Sequence, residues 1–264
     1  MNPAGLMEAA LEVARLGGAA ALRHWRTGIA AEWKADGSPV TAADREAESA
    51  IRGWIARRFP GDGVLGEELG ETPSTTGRRW IVDPIDGTKA FLAGVPLWGS
   101  LVAVVEGDRV LAGAASFPAV AEDLAAAPGE GCWSGGVRCR VSAVTDLGRA
   151  TVCITDLCGF ADPARRAGWD RLAAAARVGR TWGDCYGYLL VATGRAEAML
   201  DPVMHDWDSA CLQPIIVEAG GVFTDWDGRP TPFGGCAVAT NAALAGPVRR
   251  LLAPDTPNGP RAAY

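Results

Sequence analysis

The chain has 264 residues, of which 48% are hydrophobic, 21% charged and 7% aromatic, a composition typical of globular proteins. Its formal net charge of −6 lacks the basic surplus that non-specific nucleic-acid binding requires. No apolar run approaches the roughly 20 residues that cross a bilayer, and Glu8, Glu12 and Arg15 interrupt the apolar pattern of the N-terminus, unlike a signal peptide. We therefore expect a cytoplasmic protein that binds neither nucleic acid nor membrane.

Apolar periodicity predicts two helices and then a series of strands in the first half of the chain. Helices are predicted at 5–26 and from Thr41 to about 59–63, separated by a turn at Asp36-Gly37-Ser38-Pro39. Strands are predicted at 64–66, 80–82, 98–105 and 109–117, with a hairpin within 129–141. Residues 69–79 are polar and rich in Gly, Thr and Ser, which predicts an exposed loop.

The second half alternates strands and helices. Strands are predicted at 150–155, 197–200, 222–224 and 237–239, and helices at 163–177, 186–194, 207–219 and 245–252. Gly220-Gly221 is a typical helix stop. The tail, 254–264, is rich in Pro and polar residues and is expected to be loose.

Cysteine and histidine usage argues against a disulfide framework and against a zinc or multi-histidine centre. The seven cysteines are irregularly spaced, contain no C-x-x-C and are expected to be reduced, mostly buried thiols. Only two histidines occur, and Lys34 and Lys89 are the only lysines.

The most informative segment is Asp83-Pro84-Ile85-Asp86-Gly87-Thr88, which follows the apolar run 80–82. A strand that ends in such a turn can direct two carboxylates and one carbonyl at one point, which suits Mg²⁺. If a helix begins after Gly87, its N–H groups could bind a phosphate oxygen. The alternative is an Asp-rich turn that only caps a helix.

Three other acidic segments could likewise have either a functional or an ordinary structural role. Glu67-Glu68 follows a short strand and could supply a ligand or be a solvated loop. Asp208 and Asp44 each lie near a helix start, where a capping role is the ordinary explanation for an isolated acid.

Taken together, these segments resemble the inositol monophosphatase-like phosphatases over roughly residues 5 to 250. The resemblance rests on G-E-E at 66–68, W-I-V-D-P-I-D-G-T at 80–88, W-D-S-A at 207–210 and E-A-G-G at 218–221, with V-T-A-A-D at 40–44 and T-N at 240–241. It implies an α/β fold of layered α/β/α/β/α type. The chain would form one domain, 1–264, with a metal-rich half at about 1–145, a second half at 146–253 and the tail.

The resemblance also implies a Mg²⁺-dependent phosphomonoesterase with two or three ions per site. The implied metal ligands are Glu67, Asp83, Asp86, Asp208 and the carbonyl of Ile85. Gly87 and Thr88 would bind phosphate. Asp44 would pair with the Thr88 hydroxyl and position the attacking water, so the implied catalytic residues are Glu67, Asp44 and Thr88. Lys34 lies in a region that approaches the third metal or the phosphate.

Three segments resemble the histidinol-phosphatase branch of the family, namely 91–104, G-D-C-Y-G-Y-L-L-V-A-T-G at 183–194, and 213–228. Asp184 could pair with the protonated amine of histidinol, or it could only cap the helix that follows. Asp201 lies where the family contacts substrate hydroxyl or amino groups, but Asp201-Pro202 could be an ordinary turn. His205 could lie at the rim of the same cavity.

The leading hypothesis is therefore hydrolysis of L-histidinol phosphate in histidine biosynthesis. An inositol-1-phosphate or broad sugar-phosphate phosphatase is the alternative within the same chemistry. A regulatory binding protein of the same fold is the alternative from another class. The resemblance further implies a homodimer.

Overall fold

The structure is a computed structural model that describes residues 1–35, 37–158 and 160–253. The predicted turn residue Asp36 and the predicted loose tail, 254–264, lie outside the described residues. The helices are α1 (Pro3–Leu22), α2 (Ala42–Arg58), α3 (Thr88–Leu92), α4 (Pro163–Ala175), α5 (Cys185–Ala192), α6 (Asp206–Ser209), α7 (Leu212–Glu218) and α8 (Ala245–Leu252). Among the described residues, no helix combines the length and apolarity that a bilayer crossing requires.

Fifteen strands are described, and a single-turn 3-10 helix lies at Leu147–Arg149. The strands are β1 (Ala31–Trp33), β2 (Pro39–Thr41), β3 (Gly63–Gly66), β4 (Gly70–Thr72), β5 (Arg78–Asp86), β6 (Gly99–Glu106), β7 (Arg109–Phe117), β8 (Glu122–Ala127), β9 (Gly131–Ser134), β10 (Val137–Arg138), β11 (Thr151–Ile154), β12 (Val178–Arg180), β13 (Ala198–Asp201), β14 (Gly221–Thr224) and β15 (Ala237–Asn241).

The larger sheet has eight strands in the order β10-β9-β8-β7-β6-β5-β3-β4. Its strands pair antiparallel except β3 and β5, which are parallel neighbours. Helices α1 and α2 cover one face through a core that includes Val13, Ile51 and Trp80. Helices α5 and α7 cover the other face, where Leu189 and Ile215 belong to the largest core.

The smaller sheet has five strands in the order β12-β11-β13-β15-β14. Along β11, Val152 and Ile154 belong to the core beneath α4 and α8, while Cys153 between them belongs to the core shared with α5 and α7. This alternation is the period of two that a strand buried on both faces imposes. The layers are therefore helices, sheet, helices, sheet, helices, which confirms the predicted α/β/α/β/α arrangement.

The structure corrects several predicted elements. Residues 69–79 are not all loop, because Gly70–Thr72 forms β4 at the edge of the larger sheet. All three of its residues are exposed, so it pairs through its backbone and leaves no apolar pattern in the sequence. The strand predicted to end at Asp83 continues to Asp86, with an irregular register between these two residues.

The helix predicted at 207–219 is divided into α6 and α7. Pro214 has no N–H to donate to the carbonyl of Ala210, so a continuous helix would be broken there. The new helix begins at Leu212, which places Pro214 in its first turn, where a missing N–H costs little. Strands β1, β2, β8 and β12 were not predicted. In β8, the alanines have low strand propensity and gave no signal.

Candidate active site

Three carboxylates converge at one end of the larger sheet. Asp83, Asp86 and Asp208 each offer an oxygen, and these oxygens all lie within 4.8 Å of one another. Burial raises the pKa of Asp83 well above its usual range, and the charges of nearby acids, beginning with Glu67, raise it further. Burial, followed by the charges of Asp184 and Asp208, does the same to Asp86. A cluster of anions this close suits a hard divalent cation, which would stabilise the charged form of every member.

The parallel pairing of β3 and β5 explains how Glu67 reaches this cluster. Gly66 pairs with Val82, so the next residues along the two segments, Glu67 after the end of β3 and Asp83 within β5, lie side by side. The Glu67 N–H donates to the Val82 carbonyl over 3.2 Å, which fixes the start of this turn. Glu67 therefore borders the same cavity as the three aspartates.

The carboxylate of Glu67 is held by Lys34 rather than by the aspartate cluster. Lys34 Nζ lies 2.8 Å from Glu67 Oε1 and 2.6 Å from Glu68 Oε1. Burial opposes the charged form of Lys34, but the two carboxylates outweigh it and raise the pKa of this ammonium. The ammonium group of Lys34 therefore lies between two glutamates of the site. Glu68 pairs with Lys34, whereas its position in the sequence was compatible with either a metal ligand or a solvated loop residue.

Asp44 is fully buried at the start of α2. Its Oδ2 accepts hydrogen bonds from the Thr41 N–H (2.8 Å) and hydroxyl (2.7 Å) in a capping box. Its Oδ1 has no hydrogen-bond partner in the described part of the chain. Burial raises the pKa of Asp44 to about 6. A buried oxygen without a partner fits a group that binds a cation or a water molecule.

The predicted pairing of Asp44 with the Thr88 hydroxyl is not present. The Thr88 hydroxyl instead donates to the Ile85 carbonyl over 2.9 Å. That carbonyl is the one the resemblance assigned to the metal. The difference follows from local geometry, because Thr88 begins α3 only three residues after Ile85 and its hydroxyl reaches back within the same turn.

Gly87 is required by two features of its surroundings. Its φ of +86° lies in the left-handed region that glycine adopts without strain. A Cβ at this position would lie 2.9 Å from the Leu97 carbonyl oxygen and 3.2 Å from Asp184 Oδ2. Helix α3 begins at the next residue, which meets the condition stated for phosphate binding by its N–H groups.

Two adjoining cavities surround these residues. The first, about 330 Å³, is lined by Lys34, Ser38, Glu67, Asp83, Ile85, Asp86, Gly87, Thr88, His205, Trp207 and Asp208. The second, about 270 Å³, is lined by Ser38, Pro39, Glu67, Gly87, Thr88, Lys89, Thr155, Asp156 and Asp184. The two cavities share Ser38, Glu67, Gly87 and Thr88. Gly87 and Thr88 therefore lie between the carboxylate cluster in the first cavity and the second cavity. A larger cavity of about 610 Å³ lies elsewhere, between β7 and the 230–232 segment, and contains none of these residues.

Asp184 borders the second cavity. It occupies the N-cap position of α5, but its side chain makes no capping hydrogen bond, so side-chain capping does not account for this aspartate. Its N–H donates to Thr155 Oγ1 over 2.8 Å, and its φ of +49° turns the backbone sharply there. Burial, and then the charge of Asp208, raise the pKa of Asp184 to about 6.

Asp201 and His205 have different outcomes. Asp201 is 5% exposed and accepts a hydrogen bond from the Tyr188 hydroxyl over 2.9 Å; it lines neither cavity. The prediction that Asp201 contacts substrate therefore lacks support from its position, because Tyr188 already holds its carboxylate inside the core. His205 lines the first cavity, with the carboxylate cluster, and not the second cavity that Asp184 borders; its ring stacks on Trp207 at 4.8 Å.

Five residues that line the second cavity were not predicted as site residues: Ser38, Pro39, Lys89, Thr155 and Asp156. A usable signal was present, because Thr155 and Asp156 directly follow the apolar strand β11, the same arrangement that drew attention to Asp83.

The cysteine prediction is confirmed: all seven cysteines are free, and Cys158 is the exposed one.

The sequence matches the inositol monophosphatase family over residues 3–256. It is 44% identical over 250 residues to a histidinol-phosphatase from Chlorobaculum parvum, covering 94% of this chain and 95% of that protein. It is also 44% identical over 216 residues to a histidinol-phosphatase from Mycobacterium tuberculosis, covering 80% and 83% of the two chains. An inositol monophosphatase from Zymomonas mobilis has a similar fold, with a TM-score of 0.82 and 29% identity over 93% of this chain and 96% of that one.

Proposed function

Because the chain belongs to the inositol monophosphatase family, we propose that it is a metal-dependent phosphatase that hydrolyses L-histidinol phosphate to L-histidinol and phosphate. The observation that carries the substrate is the 44% identity to a histidinol-phosphatase along nearly the whole of both chains. The carboxylate cluster that lines the first cavity supports the chemistry.

In this proposal, Mg²⁺ is the cation and two or three ions are held per site. The ligands are Asp83, Asp86, Asp208, Glu67 and the Ile85 carbonyl. The unpartnered Oδ1 of Asp44 and the mutual approach of the three aspartates are the features of this chain that fit such ions. When bound, the ions would supply Lewis-acid activation of water and neutralise negative charge on the phosphate.

The chain's own residues then have separate tasks. The N–H groups of Gly87 and Thr88 orient the phosphate between the two cavities. Asp44 and the Thr88 hydroxyl are proposed to position the attacking water; in this structure that hydroxyl donates to the Ile85 carbonyl, and Asp44 Oδ1 has no hydrogen-bond partner among the described residues. Lys34 holds Glu67 and Glu68 in place. Phosphoryl transfer depends on this positioning and charge compensation more than on a protein nucleophile, so no cysteine is required.

The leaving alcohol occupies the second cavity, where Asp184 is proposed to meet the substrate amine. Asp201 accepts a hydrogen bond from the Tyr188 hydroxyl and lines neither cavity, so a contact between Asp201 and the substrate is not part of this proposal. Hydrolysis of inositol-1-phosphate or a sugar phosphate is the alternative at the same site, and the structural similarity to an inositol monophosphatase favours keeping it in the test.

A panel of phosphate esters tests the proposal. Phosphate release would be measured from L-histidinol phosphate, inositol-1-phosphate, a sugar phosphate and a 3′,5′-bisphosphonucleotide, with Mg²⁺ and again after chelation. A Mg²⁺-dependent preference for L-histidinol phosphate is expected. Better hydrolysis of inositol-1-phosphate would contradict the substrate and leave the metal chemistry intact.

We further propose a cytoplasmic homodimer with a role in histidine biosynthesis and a small phosphorylated molecule as its ligand. A purely regulatory binding role is the alternative. It would be favoured if no ester in the panel were hydrolysed and if a metal-site variant such as Asp83→Asn still restored growth to a knockout.

A further inference from the structure

The second cavity has a charge pattern that the metal chemistry does not explain. The charged residues that line the second cavity are Asp156, Asp184 and Lys89. Glu67 also lines it, at the boundary between the second cavity and the first. Glu67 is already paired with Lys34. The second cavity, which is proposed to hold the leaving alcohol, therefore has two carboxylates and one ammonium group. Its lining has an excess of negative charge.

We propose that Asp156, together with Asp184, binds the ammonium group of the substrate alcohol and thereby selects phosphate esters of cationic alcohols over esters of neutral alcohols. This inference rests on the proposed function, because it concerns the alcohol released by the same site. From the sequence, Asp184 could pair with an amine or cap a helix, whereas Asp156 is a new specificity-determining residue.

The local structure holds the Asp156 carboxylate in place while leaving it capable of another contact. Its Oδ1 accepts a hydrogen bond from the Cys158 N–H over 2.7 Å. No second hydrogen bond to this carboxylate is present among the described residues. The preceding residue, Thr155, accepts the N–H of Asp184 over 2.8 Å, so the ends of β11 and the start of α5 are tied together. Both acids are partly withdrawn from water, which strengthens their attraction for a cation.

The competing explanation is that Asp156 only stabilises its own turn. Asp162 makes the same type of contact, because its Oδ1 accepts from the Ala164 N–H over 2.8 Å at the start of α4, outside both cavities. Asparagine can keep this hydrogen bond, since its side-chain oxygen is also an acceptor, but it removes the negative charge. Asp156→Asn therefore separates charge from turn stability, and Asp162→Asn is the matched control.

The test compares kcat and KM of the wild-type protein, Asp156→Asn and Asp162→Asn. The substrates are L-histidinol phosphate, phosphoethanolamine as a small ammonium ester, and glycerol 2-phosphate as a neutral ester. For Asp156→Asn we expect kcat/KM to fall about tenfold for both ammonium esters, mostly through KM, and to change less than twofold for glycerol 2-phosphate. Asp162→Asn should match the wild type on all three, and thermal melting should confirm that each variant is folded.

Two results would overturn the proposal: an equal loss on all three esters, or unchanged kinetics of Asp156→Asn on the ammonium esters. Failure of the proposed function gives a different pattern. If the wild type does not hydrolyse L-histidinol phosphate, the proposed substrate is wrong, but the subsite still predicts a preference for phosphoethanolamine over glycerol 2-phosphate that Asp156→Asn removes. A wild type without that preference would refute the subsite itself.

Discussion

Several residues of the site have surroundings that lower the stability of the folded protein. Asp83 is 2% exposed and lies beside other acids, although burying like charges costs several kcal/mol per ion. The described part of the chain offers Asp83 a hydrogen bond from the Ile85 N–H at 2.9 Å, which compensates only one of its oxygens. Groups kept in such surroundings are candidates for function, because an apolar residue of similar volume would stabilise the fold more.

Removing one charge from the cluster should abolish turnover. We expect Asp83→Asn or Asp86→Asn to lower kcat by about 10³-fold or more, because an amide oxygen binds a divalent cation far more weakly than a carboxylate does. The Mg²⁺-induced rise in melting temperature should be lost as well. Asp123→Asn, outside both cavities, removes the ion pair with Arg15 and keeps an acceptor for the Gly135 N–H, so it is the control. Near-wild-type rates in either site variant at saturating Mg²⁺ would contradict the assignment.

Gly87 should tolerate no side chain. Both Gly87 (φ +86°) and Gly77 (φ +85°) have left-handed backbones, but a Cβ at Gly77 would meet nothing within 4 Å. We expect Gly77→Ala to cost about 1 kcal/mol of unfolding free energy, the conformational strain alone. Gly87→Ala should cost more and should also reduce activity, since its Cβ would push on Leu97 and Asp184. Urea unfolding and phosphate release measure the two effects. Equal costs at both positions would contradict this prediction, because the contacts of the added Cβ with Leu97 and Asp184 would then have no effect on stability.

At the scale of elements, the site is made by strand and helix ends that converge. The parallel pair β3 and β5 brings Glu67 beside Asp83, and the irregular end of β5 directs Asp86 to the same point. Helix α6 adds Asp208, whose Oδ2 accepts the His205 N–H over 2.7 Å. Asp208 is therefore both a helix-capping residue and a member of the cluster. Helix capping and metal binding, the two roles considered for it from the sequence, are compatible.

The capping box of α2 should couple helix stability to the site. Thr41→Val keeps the shape of the side chain and removes the hydroxyl that donates to Asp44 Oδ2 and caps the Ala43 N–H. We expect a loss of about 1–2 kcal/mol of unfolding free energy and a lower kcat, because Asp44 would lose one of the two groups that orient it. Thr41→Ser keeps the hydroxyl and should stay close to wild type in both. A destabilised Thr41→Val with unchanged kcat would exclude a positioning role.

At the scale of the whole molecule, the cluster exists only where the two halves of the chain meet. Asp83 and Asp86 belong to the larger sheet, whereas Asp208 and Asp184 come from the second half. The Cys185 N–H donates to Asp86 Oδ2 across this junction. Packing of α5 and α7 between the two sheets therefore holds the acids together, and each fully buried Leu or Ile in that layer contributes about 1.5–3 kcal/mol.

The acidic cluster should make the metal-free protein more stable as the pH falls. The pKa values of Asp44 and Asp184 are raised from 3.8 to about 6. Between about pH 4 and 6 the folded chain therefore holds more protons than the unfolded chain, and the stability gained by protonation is lost as the pH rises through 6. We expect the melting temperature of the metal-free protein to rise by about 3–6 °C from pH 7.5 to pH 5.

Saturating Mg²⁺ should cancel or reverse this trend, because cations replace the protons as partners of the carboxylates. Asp44→Asn should reduce the slope in the metal-free protein. The prediction would fail if the melting temperature rose with pH in the absence of metal, or if Mg²⁺ left the slope unchanged.

The sequence by itself determined most elements and the main acidic residues of this protein. Local rules sufficed there: apolar periodicity located α1, α2, α8, β6 and β7, and the D-P-I-D-G-T segment identified Asp83, Asp86 and Gly87. Only the tertiary structure decided which groups meet. The pairing of Lys34 with Glu67 and Glu68, the burial of Asp201 behind Tyr188, and the joining of Asp156 to the cavity of Asp184 are contacts between distant segments. Such contacts depend on strand order and on the packing of the two sheets, which local sequence patterns do not specify.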